Sequence, residues 1–152
     1  LTVSVLQLFE NSLEAVTALA LFIPLLVGTG GNVGAQAATS AVRALAIGEV
    51  RPSDAMRVAW RESAVGLLLG LVLGALAFVA GLLVAGIPVA ITVGVSVVLV
   101  CIWAATIGSL MPLMARALNI DPAVISAPLV TTLVDATGLV IYFVVAGLVL
   151  GI

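Results

Sequence analysis

The sequence predicts an all-α fold, a polytopic transmembrane helix bundle. Three observations carry that prediction. The chain is 64% hydrophobic and 8% charged, with a mean hydropathy of +1.43, whereas an ordinary soluble domain is about half apolar and a quarter charged. Its apolar residues gather into four long stretches, each above the ~20 residues needed to cross a bilayer. Its basic residues, five arginines and no lysine, fall in only two of the regions between those stretches.

The opening stretch, "LTVSVLQLFE", reads as the end of a helix whose beginning lies outside the chain. It lacks the basic start and cleavage site of a signal peptide, and the sequence reads as a fragment. The first full span is expected over residues 15–42, with Pro24 and a glycine cluster inside it. The region between the first two spans reads "RPSDAMRVAWRES". Helical spacing places Met56, Ala59 and Trp60 on one face, with Asp54, Arg57 and Arg61 around the other. That pattern suits a short helix lying at the lipid surface, and equally a solvated linker anchored by a tryptophan. The second span is expected over 64–85, where Gly66, Gly70 and Gly74 form a small-xxx-small row for close helix approach. "AGIP" makes a tight hairpin into the third span, 87–115. The fourth span, 122–152, begins at Asp121 and Pro122, residue types suited to a helix cap and a first helical position.

Arginine placement orients the bundle. Arg43, Arg51, Arg57 and Arg61 precede the second span and Arg116 follows the third. Glu10 and Glu14 sit near the start instead. The positive-inside rule makes both arginine-bearing loops cytoplasmic. Alternating spans put those two loops on one side, with the C-terminus outside.

Composition excludes several function classes. A net charge of −2 and no basic patch interleaved with aromatics argue against nucleic acid. One cysteine, Cys101, builds no disulfide framework, and the sequence has no histidine for metal or acid–base chemistry. "GTGGNVG" lacks the lysine of a phosphate loop, and its glycines miss the dinucleotide spacing. An enzyme is the least supported class.

Two features point to an ion path. Asp135 lies within an otherwise apolar span, where an aspartate costs ~2.5–3.5 kcal/mol on insertion scales. At helical spacing it shares a stripe with Pro128, Thr131, Thr132, Gly138 and Tyr142. The carboxylate either faces an aqueous ion path or is a silent acid bonded to Thr131 or another span. The second feature is "PLLVGTGGNVGAQAATSAVRALA". Bare backbone at membrane depth is tolerated where it is buried in protein or lines a cavity. Asn32, Gln36, Thr39 and Ser40 add oxygen donors there. Carbonyl and amide oxygens with one carboxylate suit a hard cation or its water shell, whereas on the packing reading the glycines serve helix contact alone. One aspartate is a poor site for a dication. A two-fold axis beside the last span would bring two copies of Asp135 together, and cyclic dimers are the commonest oligomer.

These residues resemble a known family. "PLLVGTGGNVGAQAATSAVRALAIGE" and "DPAVISAPLVTTLVDATGLVIYF" resemble the transmembrane domain of the MgtE family of magnesium channels, in the family's order and with spans between. The resemblance covers essentially the whole chain, 1–152, read as one ion-channel domain. It implies five transmembrane helices per subunit and a homodimer in the membrane lipid, with a pore on the dimer axis lined by the second and fifth helices. It implies Mg2+ as transported ion and bound ligand. Asp135 matches the pore carboxylate that holds the hydrated ion. Gly28 and Gly31 match backbone positions facing its water shell, and "GGN" includes Asn32 among the expected metal-site residues. Thr39 matches a pore-facing position lower in the same helix, and Asp121 an acid at the cytoplasmic mouth. The chain departs from the pattern in three ways. Most of the first helix is missing, as are the family's cytosolic regulatory domains, expected partners absent from this chain. Ala35 and Ala127 stand where some relatives carry asparagine. The sequence leaves three readings open: a magnesium channel, an ion-coupled secondary transporter with Asp135 as coupling site, and an assembly subunit with no path of its own.

Overall fold

A computed structural model of the chain describes residues 1–10, 17–122 and 127–151. It is a helix bundle, with no strand among the described residues. The elements are α1, Thr2–Leu8; α2, Ala18–Ala46; α3, Ala55–Ala85; α4, Ile87–Ala117; and α5, Ala127–Leu150. A short 3-10 turn, Pro52–Asp54, leads into α3. Four of the helices, α2 to α5, are long and apolar enough to cross a membrane. The fold class is the one the composition dictates. In lipid, backbone polar groups must be satisfied inside the segment, so long apolar runs become helices.

Glu14 and the expected start of the first span lie outside the described residues, as does the start of the last span after Pro122. Two expectations change. Residues 55–63 are no separate surface helix but the first turns of α3. Helix-forming side chains and the absence of a breaker between Asp54 and Ala64 let the span extend toward the turn. The backbone N–H of Arg51 donates to Asp54 Oδ2 at 2.8 Å, which fixes that entrance. The glycine cluster does not open α2 either, which runs unbroken through Pro24 and every glycine.

Helix α4 is the hub, packed against α2, α3 and α5. The α3–α4 hairpin turns on Gly86 at φ 84°, a conformation favoured by glycine. The Gly66, Gly70 and Gly74 row then meets α4 backbone to backbone. A Cβ at Gly66 would lie 2.6 Å from the Cys101 carbonyl oxygen, and one at Gly70 would lie 2.9 Å from Val98 Cα. Small residues permit this approach, and dispersion rather than water exclusion drives such packing in lipid. A core of Leu19, Phe22 and Leu26 from α2, Val93, Val97 and Val100 from α4, and Leu139, Tyr142 and Phe143 from α5 joins three helices. Tyr142 is fully buried, and its hydroxyl donates to the Leu19 carbonyl oxygen at 3.0 Å. Phe9, just beyond α1, stacks on Phe143 with ring centroids 4.8 Å apart.

Candidate functional site

The four glycines of the α2 cluster have different surroundings. Gly30 and Gly34 are packing positions. A Cβ at Gly30 would lie 2.7 Å from Val100 Cγ1, and one at Gly34 would lie 3.1 Å from Val134 Cγ2. Gly108 of α4 comes up against the Gly34 carbonyl in the same contact. Here the reading of glycine as a spacer for helix contact holds. Gly28 is exposed and has open space where a side chain would stand.

Gly31 is the exception that builds a site. It is buried, and a Cβ there would lie 3.0 Å from Asp135 Oδ1, with Thr131 Cγ2 at 3.5 Å. The absence of a side chain on α2 therefore makes room for the carboxylate of α5. Asp135 Oδ1 is itself buried and has no hydrogen-bond partner among the described residues. The Thr131 hydroxyl donates to the Pro128 carbonyl oxygen at 3.0 Å, and Thr132 donates to the same oxygen at 2.8 Å. The silent-acid reading expected a bond from Thr131 or from another span; the Thr131 hydroxyl is engaged with Pro128, and no span supplies Oδ1 a partner among the described residues. A buried acceptor left without a donor is costly, and no donor among the described residues meets this oxygen.

The expected stripe around Asp135 is only partly an open face. Pro128 and Thr132 are exposed, and Thr131 is half-buried. Gly138 and Tyr142 turn inward, Gly138 against Val100 and Tyr142 into the core. On α2, Gly28, Asn32, Gln36 and Thr39 share one exposed face. Thr39 Oγ1 donates to the Ala35 carbonyl oxygen at 2.8 Å. Asn32 borders a groove of about 260 Å³ together with Gln36, Ser40 and Glu62 of α3, on the α3 side of α2. Asp121 is exposed and borders a cavity of about 290 Å³ with Arg116 and Pro122, at the arginine-bearing end.

The chain thus brings Gly31, Thr131 and Asp135 together and places Asn32, Thr39 and Asp121 elsewhere. Among the described residues, no group of three or more acid, cysteine or histidine side chains is arranged to hold a metal ion. Sequence reasoning passed over Glu62. It borders the groove with Asn32 and also a second cavity of about 180 Å³ with Ser40, Glu49 and Ser109. The signal was present: Glu62 continues the four-residue spacing of Gly66, Gly70 and Gly74, so it falls on the inward side of α3.

Residues 23–145 match the MgtE family, described as divalent cation transporters. The chain belongs to the MgtE family. Three curated relatives, each named magnesium transporter MgtE, align along nearly all of it. The protein of Thermus thermophilus is 50% identical over 150 residues, 98% of this chain and 33% of the relative. That of Enterococcus faecalis is 35% identical over 148 residues, 97% of the chain and 33% of the relative. That of Bacillus subtilis is 33% identical over 144 residues, 94% of the chain and 32% of the relative. The chain spans about a third of the length of these relatives. Gly28, Gly31, Asn32, Thr39, Asp121 and Asp135 all fall inside the segment that matches MgtE. A multi-pass membrane location agrees with both the family and the four long helices.

Proposed function

We propose that this chain is the ion-conducting domain of a magnesium transporter, passing hydrated Mg2+ as a channel through a pore between two copies. One observation carries the reading: the buried, unpartnered Asp135 Oδ1 facing Gly31, in a chain of a divalent cation transporter family. Relatives named magnesium transporters support the choice of ion.

Magnesium sheds water reluctantly and keeps several waters when bound. A site that meets it through its water shell needs room and oxygen atoms rather than a tight cage. Asp135 supplies charge. Gly31 keeps the wall beside it free of a side chain, and Gly28 leaves open space on the same helix. Asn32 and Thr39 offer oxygen atoms along the exposed face of α2, and Asp121 places an acid at the arginine-bearing mouth. Such a face is poorly suited to lipid. A second copy across a two-fold axis would cover it and contribute a second carboxylate, so that two negative charges stand beside one dication. The arginine-bearing loops face the cytoplasm in this arrangement, and the C-terminal end of α5 faces outside.

The test is magnesium flux for the wild type and Asp135→Asn, with dimer content measured in parallel. Asparagine keeps the size and one acceptor but removes the charge. Loss of magnesium selectivity in a folded dimer is the expected result. A mutant dimer with unchanged magnesium conduction would overturn the assignment. Current driven by a magnesium gradient alone, at fixed pH and without sodium, separates a channel from a coupled transporter.

A further inference from the structure

We propose that the outward face of α3 at the arginine-bearing end binds an anionic phospholipid, with Arg57 and Arg61 on its phosphate and Trp60 and Met56 at the headgroup boundary. Helix α3 has 31 residues. At ~1.5 Å per residue it is about 46 Å long, against a hydrocarbon core of ~30 Å. Its first turns therefore stand at headgroup level when the apolar part spans the bilayer.

The face they present is continuous with the lipid-facing one. Arg57, Arg61, Ala64, Leu68 and Leu71 follow one another at helical spacing. Leu68 is 67% exposed and Leu71 54%. Met56 is 83% exposed and Trp60 81%. Large apolar side chains held this far out are unfavourable in water, and tryptophan favours the membrane interface. Arg57 and Arg61 are one turn apart and exposed, and neither forms an ion pair among the described residues.

Arg51, Arg57 and Arg61 stand here against Glu49, Asp54 and Glu62, so recognition rests on the two exposed guanidinium groups and not on net charge. Glu49 and Glu62 border the inner cavity with Ser40, Ser109 and Arg61. Asp54 accepts from the backbone N–H of Arg51. Both arginines also border a cavity of about 150 Å³ shared with Glu49 and Asp54. Those acids repel an anion from its interior, so a phosphate meets the guanidinium groups from the lipid side. Planar guanidinium groups suit phosphate oxygens.

The experiment is native mass spectrometry of the detergent-purified chain titrated with phosphatidylglycerol or phosphatidylcholine. The wild type is expected to retain phosphatidylglycerol preferentially. Retention should fall about fivefold for each arginine replaced in Arg57→Gln and Arg61→Gln, and phosphatidylcholine binding should stay level. Equal retention by wild type and double variant overturns the proposal. So does displacement of the lipid by equimolar inorganic phosphate, which would make the site a phosphate site. Should the double variant fail to fold, brominated lipids decide on the wild type. Trp60 fluorescence, isolated by subtracting Trp60→Phe, should be quenched more by brominated phosphatidylglycerol than by brominated phosphatidylcholine. Equal quenching overturns the proposal.

Discussion

Gly31 and Asp135 face each other across the α2–α5 contact so closely that a methyl group on the glycine would lie 3.0 Å from Oδ1 of the aspartate. A gap of that size is narrower than ordinary contact. The glycine therefore sets where the carboxylate stands. Gly31→Ala should displace the carboxylate and Thr131 or strain the helix pair, costing about 1–3 kcal/mol. Magnesium uptake per folded protein should fall several-fold. Full uptake in the folded variant would separate Gly31 from the path.

Gly28 gives the opposite pattern. Nothing lies within 4 Å of a Cβ built there, and the position is exposed. Gly28→Leu should leave the melting temperature in detergent unchanged and obstruct flux. Unchanged flux would place the path away from this face of α2.

The α3–α4 hairpin depends on small residues. In Gly66→Ala the new methyl would meet the Cys101 carbonyl oxygen at 2.6 Å, and backbone has no rotamer to yield. The helices must separate, with an expected loss of about 1–3 kcal/mol, read as a lower unfolding midpoint in bicelles. A midpoint matching the wild type would contradict the backbone contact.

Tyr142→Phe keeps the ring and removes the hydroxyl that reaches Leu19 of α2. Hydrogen bonds between membrane helices average about 0.6 kcal/mol and reach about 1.7 kcal/mol. A destabilisation in that range is expected, with magnesium flux per folded protein unaltered, because this contact stands in the core rather than beside Asp135.

The proposed two-fold pore predicts which positions crosslink. Thr132 is exposed, whereas Gly138 is buried against Val100. Thr132→Cys should crosslink between copies in membranes or react with a pore-permeant thiol reagent. Gly138→Cys should do neither. Reaction at Gly138 alone would move the interface to the other side of α5.

Much of the architecture was legible because lipid imposes it locally. A span announces itself by length and apolarity, so α2 to α5 were all visible, as were the hairpin at Gly86 and the packing row on α3. The start of α3 was misjudged because an amphipathic segment reads alike as a surface helix or as the turns of a longer one. Glu62 was missed although its four-residue spacing from Gly66, Gly70 and Gly74 placed it inward.

The sequence by itself determined the helical class, the four long membrane helices, the clustering of arginines at one end and the presence of a carboxylate within an apolar span. The family resemblance, carried by two long motifs, was legible there too. Only the tertiary structure decided what each glycine of "GTGGNVG" does: Gly30 and Gly34 receive valines, Gly28 faces open space, and Gly31 faces Asp135. It also decided that Thr131 turns its hydroxyl to Pro128 rather than to the aspartate. The reason is geometric. Helical periodicity fixes which residues share a face, but the atoms opposite that face come from helices about a hundred residues away, and their rotation and depth are set by packing among all the spans together.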